Sequence, residues 1–201
     1  MSTHIEHGIN TIEFFHPQSN SLPGKILEEL AREIHFAGTH EETKVIILRS
    51  GGEKTFCSGA SFNELASIKN EKEGLKFFSG FANVINAMRK CPRFIIGRIQ
   101  GKCVGGGVGL AAAVDYAIAT GKAEIKLSEL AVGIGPFVVG PAVERKIGTG
   151  AFSALAIDAT AWRSTDWEKR KGLFAEVHES IEGMDEAVYR LANTLSHSNP
   201  T

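Results

Sequence analysis

The chain has 201 residues, 43% of them hydrophobic, and a formal net charge of −1. That suits one compact domain with a core needing no disulfide or metal staple, and it gives no strong field toward nucleic acid or an anionic membrane surface. Three cysteines without a CxxC pair, no basic-then-apolar start and no apolar run near the roughly 20 residues of a membrane span predict a reducing, cytoplasmic setting without a secretory signal.

In chain order, Ile9–Phe15 alternates partly at period two and ends at "HPQSN", a strand running into a turn. Pro23–Gly38 carries Ile26, Leu27, Leu30 and Ile34 at helical spacing, with Pro23 suited to the start and Gly38 to the stop. "KVIILRS" reads as a buried strand. "GGEKTFCSGASFNELASI" reads as a loop that opens a helix at Ser61 or Phe62. "EGLKFFSGFANVINAMRK" is an amphipathic helix, and "RFIIGRIQG" a strand that empties into the glycine stretch "GKCVGGGVGL". "LAAAVD" predicts a short helix, "YAIAT" a strand and "EIKLSEL" a strand or loop. "VVGPAVERKIG", "GAFSALAIDA", "STDWEKRKG" and "MDEAVYRLANTL" predict helices. Strands and helices alternate throughout, so the class is α/β.

Several motifs are excluded. No GxxxxGK followed by Ser or Thr occurs, so there is no Walker A loop. A relaxed GxGxxA occurs at Gly107, Gly109 and Ala112, but the next strand ends in "TGK", without an acid for a ribose hydroxyl. Ser58 lies in "FCSGA", short of the first glycine of a nucleophile elbow. Cys103 reads as a small buried hydrophobe rather than a nucleophile, and the seven histidines have no metal-ligand spacing. The clusters "RKCPR" (Arg89–Arg93) and "EKRK" (Glu168–Lys171) read as solvated faces, with a phosphate clamp as the sharper alternative.

Three stretches carry chemistry. "KTFCSGAS" and "QGKCVGGGVG" each end a strand region and open a helix, where backbone N–H groups lack intrahelical partners and the dipole adds partial positive charge. Two such starts converging would make an oxyanion hole of main chain alone. The alternative for the second stretch is close helix–strand packing. "KLSELAVGIGP" carries Glu129 among apolar neighbours, either a carboxylate of raised pKa suited to proton transfer or a surface acid at a helix start.

Together these stretches resemble the crotonase superfamily, the enoyl-CoA hydratase/isomerase family. The resemblance covers Ile9 to the last helix. "GGEKTFCSGASFNEL" is similar to its first oxyanion segment and implies Ala60 N–H as one donor. "IQGKCVGGGVGLAAAVDYAIAT" is similar to the second and implies Gly106 N–H as the other, with Asp115 at the acidic position that follows. "LSELAVGIGP" is similar to the segment bearing the catalytic Glu, here Glu129. The resemblance also implies a spiral of repeated β-β-α units with a helical C-terminal part, over one domain of residues 1–201 without the family's last C-terminal helices. It implies assembly as a homotrimer or homohexamer. The substrate is an acyl-CoA thioester, with coenzyme A as part of the substrate and no bound cofactor or metal. Ser61, Phe62, Asn63 and Gly105 would bind substrate, and Lys25 would reach a CoA phosphate.

Gly109 stands where hydratases of this family commonly carry a second Glu. The expected activity is hydration of a 2-enoyl-CoA, with the look of methylglutaconyl-CoA hydratase-like members. Isomerisation of an enoyl-CoA by one carboxylate is the alternative, and a non-catalytic acyl-CoA-binding subunit a third reading. Trp162 and Trp167 are expected to pack rather than to wall the acyl pocket.

Overall fold

In the computed structural model, which describes residues 1–198, three strands of a large sheet are each followed by a short strand of a second sheet and then by helix. The chain runs β1 (Ser2–Glu6), β2 (Ile9–Phe14), α1 (Gly24–Thr39), β3 (Val45–Ser50), β4 (Thr55–Cys57), α2 (Phe62–Ser67), α3 (Glu71–Lys90), β5 (Phe94–Ile99), β6 (Lys102–Val104) and α4 (Gly106–Ala113). It continues with β7 (Tyr116–Thr120), β8 (Ile125–Lys126), a single 3₁₀ turn (Leu130–Val132), α5 (Gly140–Ile147), α6 (Thr149–Ile157), α7 (Thr165–Lys171), β9 (Glu176–His178) and α8 (Ile181–Ser196). The large sheet has the order β1-β2-β3-β5-β7-β9, and the small one β4-β6-β8. All pairings are parallel except the β1–β2 hairpin. Three successive β-β-α turns, beginning at β3, β5 and β7, therefore build the spiral of repeated units that the resemblance implies.

The central strands β3, β5 and β7 of the large sheet are buried on both faces, as parallel strands with helical crossovers require. Alternate side chains of β3 point opposite ways: Ile46 and Leu48 join the main core with α1, α3 and α4, while Val45 and Ile47 meet Met184, Ala187 and Val188 of α8 on the other face. Arg98 of β5, only 5% exposed, reaches α8 through a two-pronged bond to Asp185. Asp115 closes the start of β7: its Oδ2 accepts Ile95 N–H at 2.8 Å, and its own N–H donates to Ile95 O at 2.9 Å.

The sequence reading departs from this structure in a few places, each with a physical reason. The strands β4, β6 and β9 have three residues each, too short to show a period. The polar β1 is held by a hairpin turn with φ of 49° at His7 and 81° at Gly8. Gly38 lies in the last turn of α1, one residue before its end, and is small because a Cβ there would lie 2.8 Å from Cys91 Sγ at the end of α3. The helix predicted from Leu110 begins at Gly106. The run "EKRK" is not one solvated face, since Glu168 is fully buried while Lys169, Arg170 and Lys171 are exposed. Residues 199–201 lie outside the description. Among the described residues, no helix is long and apolar enough to cross a membrane, and no three His, Cys, Asp or Glu side chains gather to hold a metal ion.

Candidate active site

The three parallel strands of the small sheet point their C-terminal ends at one place. β4 leads to Gly59 and Ala60, β6 to Gly105 and Gly106, and β8 to Ser128 and Glu129. All six residues line one cavity of about 360 Å³. Apart from Ser21 and Ser58, its remaining wall is apolar, including Phe77, Phe78 and Phe81 of α3 and Val132, Ile134 and Val139 after Glu129. Among the described residues no Lys, Arg or His lines it.

The glycines divide into two sets by what stands next to them. Gly105 caps α4 with φ 52° and ψ −116°, a backbone that side-chain-bearing residues rarely adopt, and a Cβ there would sit 3.3 Å from Glu129 Oε1. Gly106 opens α4 against the Phe81 ring, where a Cβ would come within 2.5 Å of it. These two face the cavity. Gly107 instead lets α4 pack on β4: a Cβ there would lie 2.1 Å from the Cys57 carbonyl oxygen. The close packing that the sequence offered as the alternative to an oxyanion hole is present at Gly107, while the two glycines before it line the cavity.

The two loops meet, since a Cβ at Gly59 would lie 3.3 Å from Gly106 N. Leu22 N–H donates to Gly59 O, and Leu22 O accepts Ser61 N–H, so Ala60 N–H between them is left over. In α4, Val108 N–H and Gly109 N–H both donate to Gly105 O. Neither Ala60 N–H nor Gly106 N–H donates a backbone hydrogen bond among the described residues.

Glu129 begins the tight turn after β8, and its carbonyl accepts from Val132 and Ile134 N–H. Its Oε2 is buried and has no hydrogen-bond partner. Burial pushes the carboxyl pKa above the ordinary carboxylate value, opposed in part by its own backbone N–H. An acid held in apolar surroundings without a cation is suited to carrying a proton.

Gly109 shows why a second acid is missing. A Cβ there would lie 2.6 Å from Val139 Cγ1 and 3.2 Å from Ile85 Cδ1. The space for a longer side chain is filled by core packing.

The residues singled out from the sequence separate in space. Ala60, Phe62, Gly105, Gly106 and Glu129 line the cavity, with Phe62 exposed at its edge. Ser61 is 8% exposed and caps α2, its hydroxyl facing Glu64 N at 3.4 Å, while Glu64 Oε2 accepts Gly24 N–H at 2.9 Å. Asn63 is exposed outside the cavity. Lys25 lines a separate groove between α1, α2 and α3, which shares Phe77 with the cavity. Cys103 is fully buried, and burial raises its thiol pKa well above the ordinary value. Trp162 lies under the ammonium groups of Lys102 and Lys126, and neither it nor Trp167 lines the cavity. The sequence did not mark Phe77, Phe78 and Phe81 as cavity wall. Their signal was an aromatic cluster on one helix, indistinguishable from core.

Residues 4–201 match the family described as Enoyl-CoA hydratase/isomerase. A relative from Mycobacterium tuberculosis, named (7aS)-7a-methyl-1,5-dioxo-2,3,5,6,7,7a-hexahydro-1H-indene-carboxyl-CoA hydrolase, is 26% identical over 97% of this chain and 77% of its own. The mitochondrial methylglutaconyl-CoA hydratase of Rattus norvegicus is 32% identical over 88% of this chain and 56% of its own. The enoyl-CoA hydratase structure from Bacillus anthracis superposes with a TM-score of 0.91 at 27% identity, covering 99% of this chain and 77% of that one. Against several other curated relatives the chain spans only 39–61% of their length. The chain belongs to the enoyl-CoA hydratase/isomerase family, within the crotonase superfamily. Its relatives' names attach more than one reaction to that shared scaffold.

Proposed function

We propose that the cavity takes the acyl part of a CoA thioester, with the thioester carbonyl oxygen between Ala60 N–H and Gly106 N–H. The observation that carries this reading is that both donors lack backbone partners and line one cavity with Glu129. Removing a proton from the α-carbon sends the electron pair onto the carbonyl oxygen as an enolate. Donors aimed at that oxygen stabilise it, one being worth about 10²–10³-fold in rate.

The reaction this geometry supports best is double-bond isomerisation. Glu129 removes the α-proton of a 3-enoyl-CoA, giving a dienolate, and returns the proton to the γ-carbon, which leaves a conjugated 2-enoyl-CoA. One carboxylate suffices, and the filled space beside Gly109 leaves no room for a second. Hydration of a 2-enoyl-CoA is the second reading. It has the support of the hydratase relative and of Ser128, whose Oγ is near Gly105 and can help hold a water beside Glu129. The apolar lining favours an uncharged acyl chain, because a second carboxylate would be desolvated beside Glu129 with no cation to pair it. Lys25, in the groove that shares Phe77 with the cavity, is our candidate for a CoA phosphate. Assembly as a homotrimer or homohexamer, which the family likeness implies, is read directly by light scattering.

A substrate panel tests the reading. Given a 3-enoyl-CoA, the protein is expected to raise the conjugated-thioester absorbance. Given a 2-enoyl-CoA, hydration would lower it. Uncharged chains are expected to turn over faster than chains ending in a carboxylate. Tight thioester binding with neither change in absorbance would leave a binding subunit and end the catalytic proposal.

A further inference from the structure

Outside the cavity, the described residues hold one fully buried carboxyl group, and its pKa is pushed far from the ordinary value. Glu168 is 0% exposed, on a seven-residue helix whose other charged side chains face solvent. Its Oε1 accepts Ile125 N–H at 3.0 Å, and its Oε2 is buried without a partner. The titratable groups acting on it are Glu124, just before β8, and Cys103, in β6; neither is a cation. Burial first, then Glu124, raises its pKa to about 9, so the group is a neutral carboxylic acid at pH 7. A hydrophobe would fill this place at lower free energy. What an acid adds is a second acceptor for Ile125 N–H, at 3.0 Å beside Arg163 O at 3.2 Å.

That acceptor sits behind the weakest strand of the site. β8 has two residues and lies at the edge of the small sheet. On its inner side Cys103 N–H donates to Glu124 O, and Gly105 N–H donates to Lys126 O, each at 3.0 Å. On its outer side there is only the isolated bridge to Arg163, with Glu168 sharing the same Ile125 N–H. Glu129 follows Ile125 by four residues, and Gly105 hangs on Lys126. A slip of β8 would move the acid and one oxyanion loop together.

We propose that Glu168 is a positioning residue: its carboxyl group clamps Ile125 N–H from the outer edge of the small sheet and so holds Glu129 in place beside Gly105. This rests on the reading of Glu129 given above. A misplacement of about 1 Å can lower turnover about 10²-fold.

The test uses the full chain, the thioester that the panel shows to be turned over, and two variants. Glu168→Gln keeps an acceptor oxygen but cannot ionise, and Glu168→Leu leaves Ile125 N–H with Arg163 O alone. Glu168→Gln is expected to hold kcat within about twofold of the parent, and Glu168→Leu to lose about tenfold or more in kcat at nearly unchanged KM. Ionisation of Glu168 above about pH 9 leaves an acceptor oxygen on Ile125 N–H and changes its charge. The Ile125 amide resonance, read without substrate, should titrate over the same range in the parent and not in Glu168→Gln. A folded Glu168→Leu with the parent's kcat would overturn the proposal. So would a Glu168→Gln as impaired as Glu168→Leu, or an Ile125 resonance that does not move. If Glu168→Leu does not fold, the Gln variant and the Ile125 titration decide. A parent that turns over no thioester defeats the reading of Glu129, while the Ile125 titration still reports on the clamp.

Discussion

Glu129→Gln is expected to lower turnover of the accepted enoyl-CoA by about 10²–10⁴-fold, the range of a lost general acid–base, while CoA-thioester binding stays near that of the parent. Gln keeps the size and one acceptor oxygen of Glu but cannot take a proton. The same substitution should stabilise the fold at neutral pH. Burial holds the Glu129 pKa above its unfolded value. Its favourable share of stability is therefore complete below the unfolded pKa and is lost as pH rises through the folded one. The variant should melt above the parent at pH 7, and the gap should close in acid. In the active parent, kcat/KM should fall as pH drops through a pKa above the ordinary carboxylate value, because the base must be ionised. Steady-state kinetics and melting curves across pH read both effects. Full activity in the variant would remove Glu129 from the mechanism.

Gly107→Ala is expected to cause the largest loss of stability from a single methyl group, about 3 kcal/mol. The added Cβ would meet backbone: 2.1 Å from Cys57 O and 2.9 Å from Cys57 C. Cys57 ends β4, which is paired to β6, and β6 runs directly into α4, so neither partner can yield alone. Alanine's helix propensity, worth about 1 kcal/mol over glycine, opposes this and is outweighed. Gly150→Ala is the matched control. Gly150 is an exposed residue of α6 with nothing within 4 Å of its added Cβ, so the change should be neutral or stabilising by up to about 1 kcal/mol. Chemical denaturation of the two variants measures the difference. A Gly107→Ala protein as stable as the parent would mean that α4 and β4 are farther apart than described.

Both expectations concern one short segment that bears two different constraints. Gly106 is small because the cavity and Phe81 lie against it, whereas Gly107 is small because another strand does. In sequence they are identical glycines.

The long elements were legible from periodicity alone: α1, α3 and α8 are amphipathic over 16 to 20 residues, and β3 and β5 are apolar runs. So were the three stretches that line the cavity, because glycine-rich strand-to-helix turns and a lone acid among apolar residues are local patterns. Three things were settled only by tertiary structure, because each depends on residues far apart in the chain. The alignment of β4, β6 and β8, two or three residues each, brings Ala60, Gly106 and Glu129 to one cavity. Val139 and Ile85 occupy the space beside Gly109, which turns an absent side chain into a closed one. Glu168, in a run that reads as solvated charge, is turned inward by α7 to reach Ile125. Local pattern specifies which face of an element is apolar. What that face meets is decided by long-range packing, and the chemistry of this site lies in those meetings.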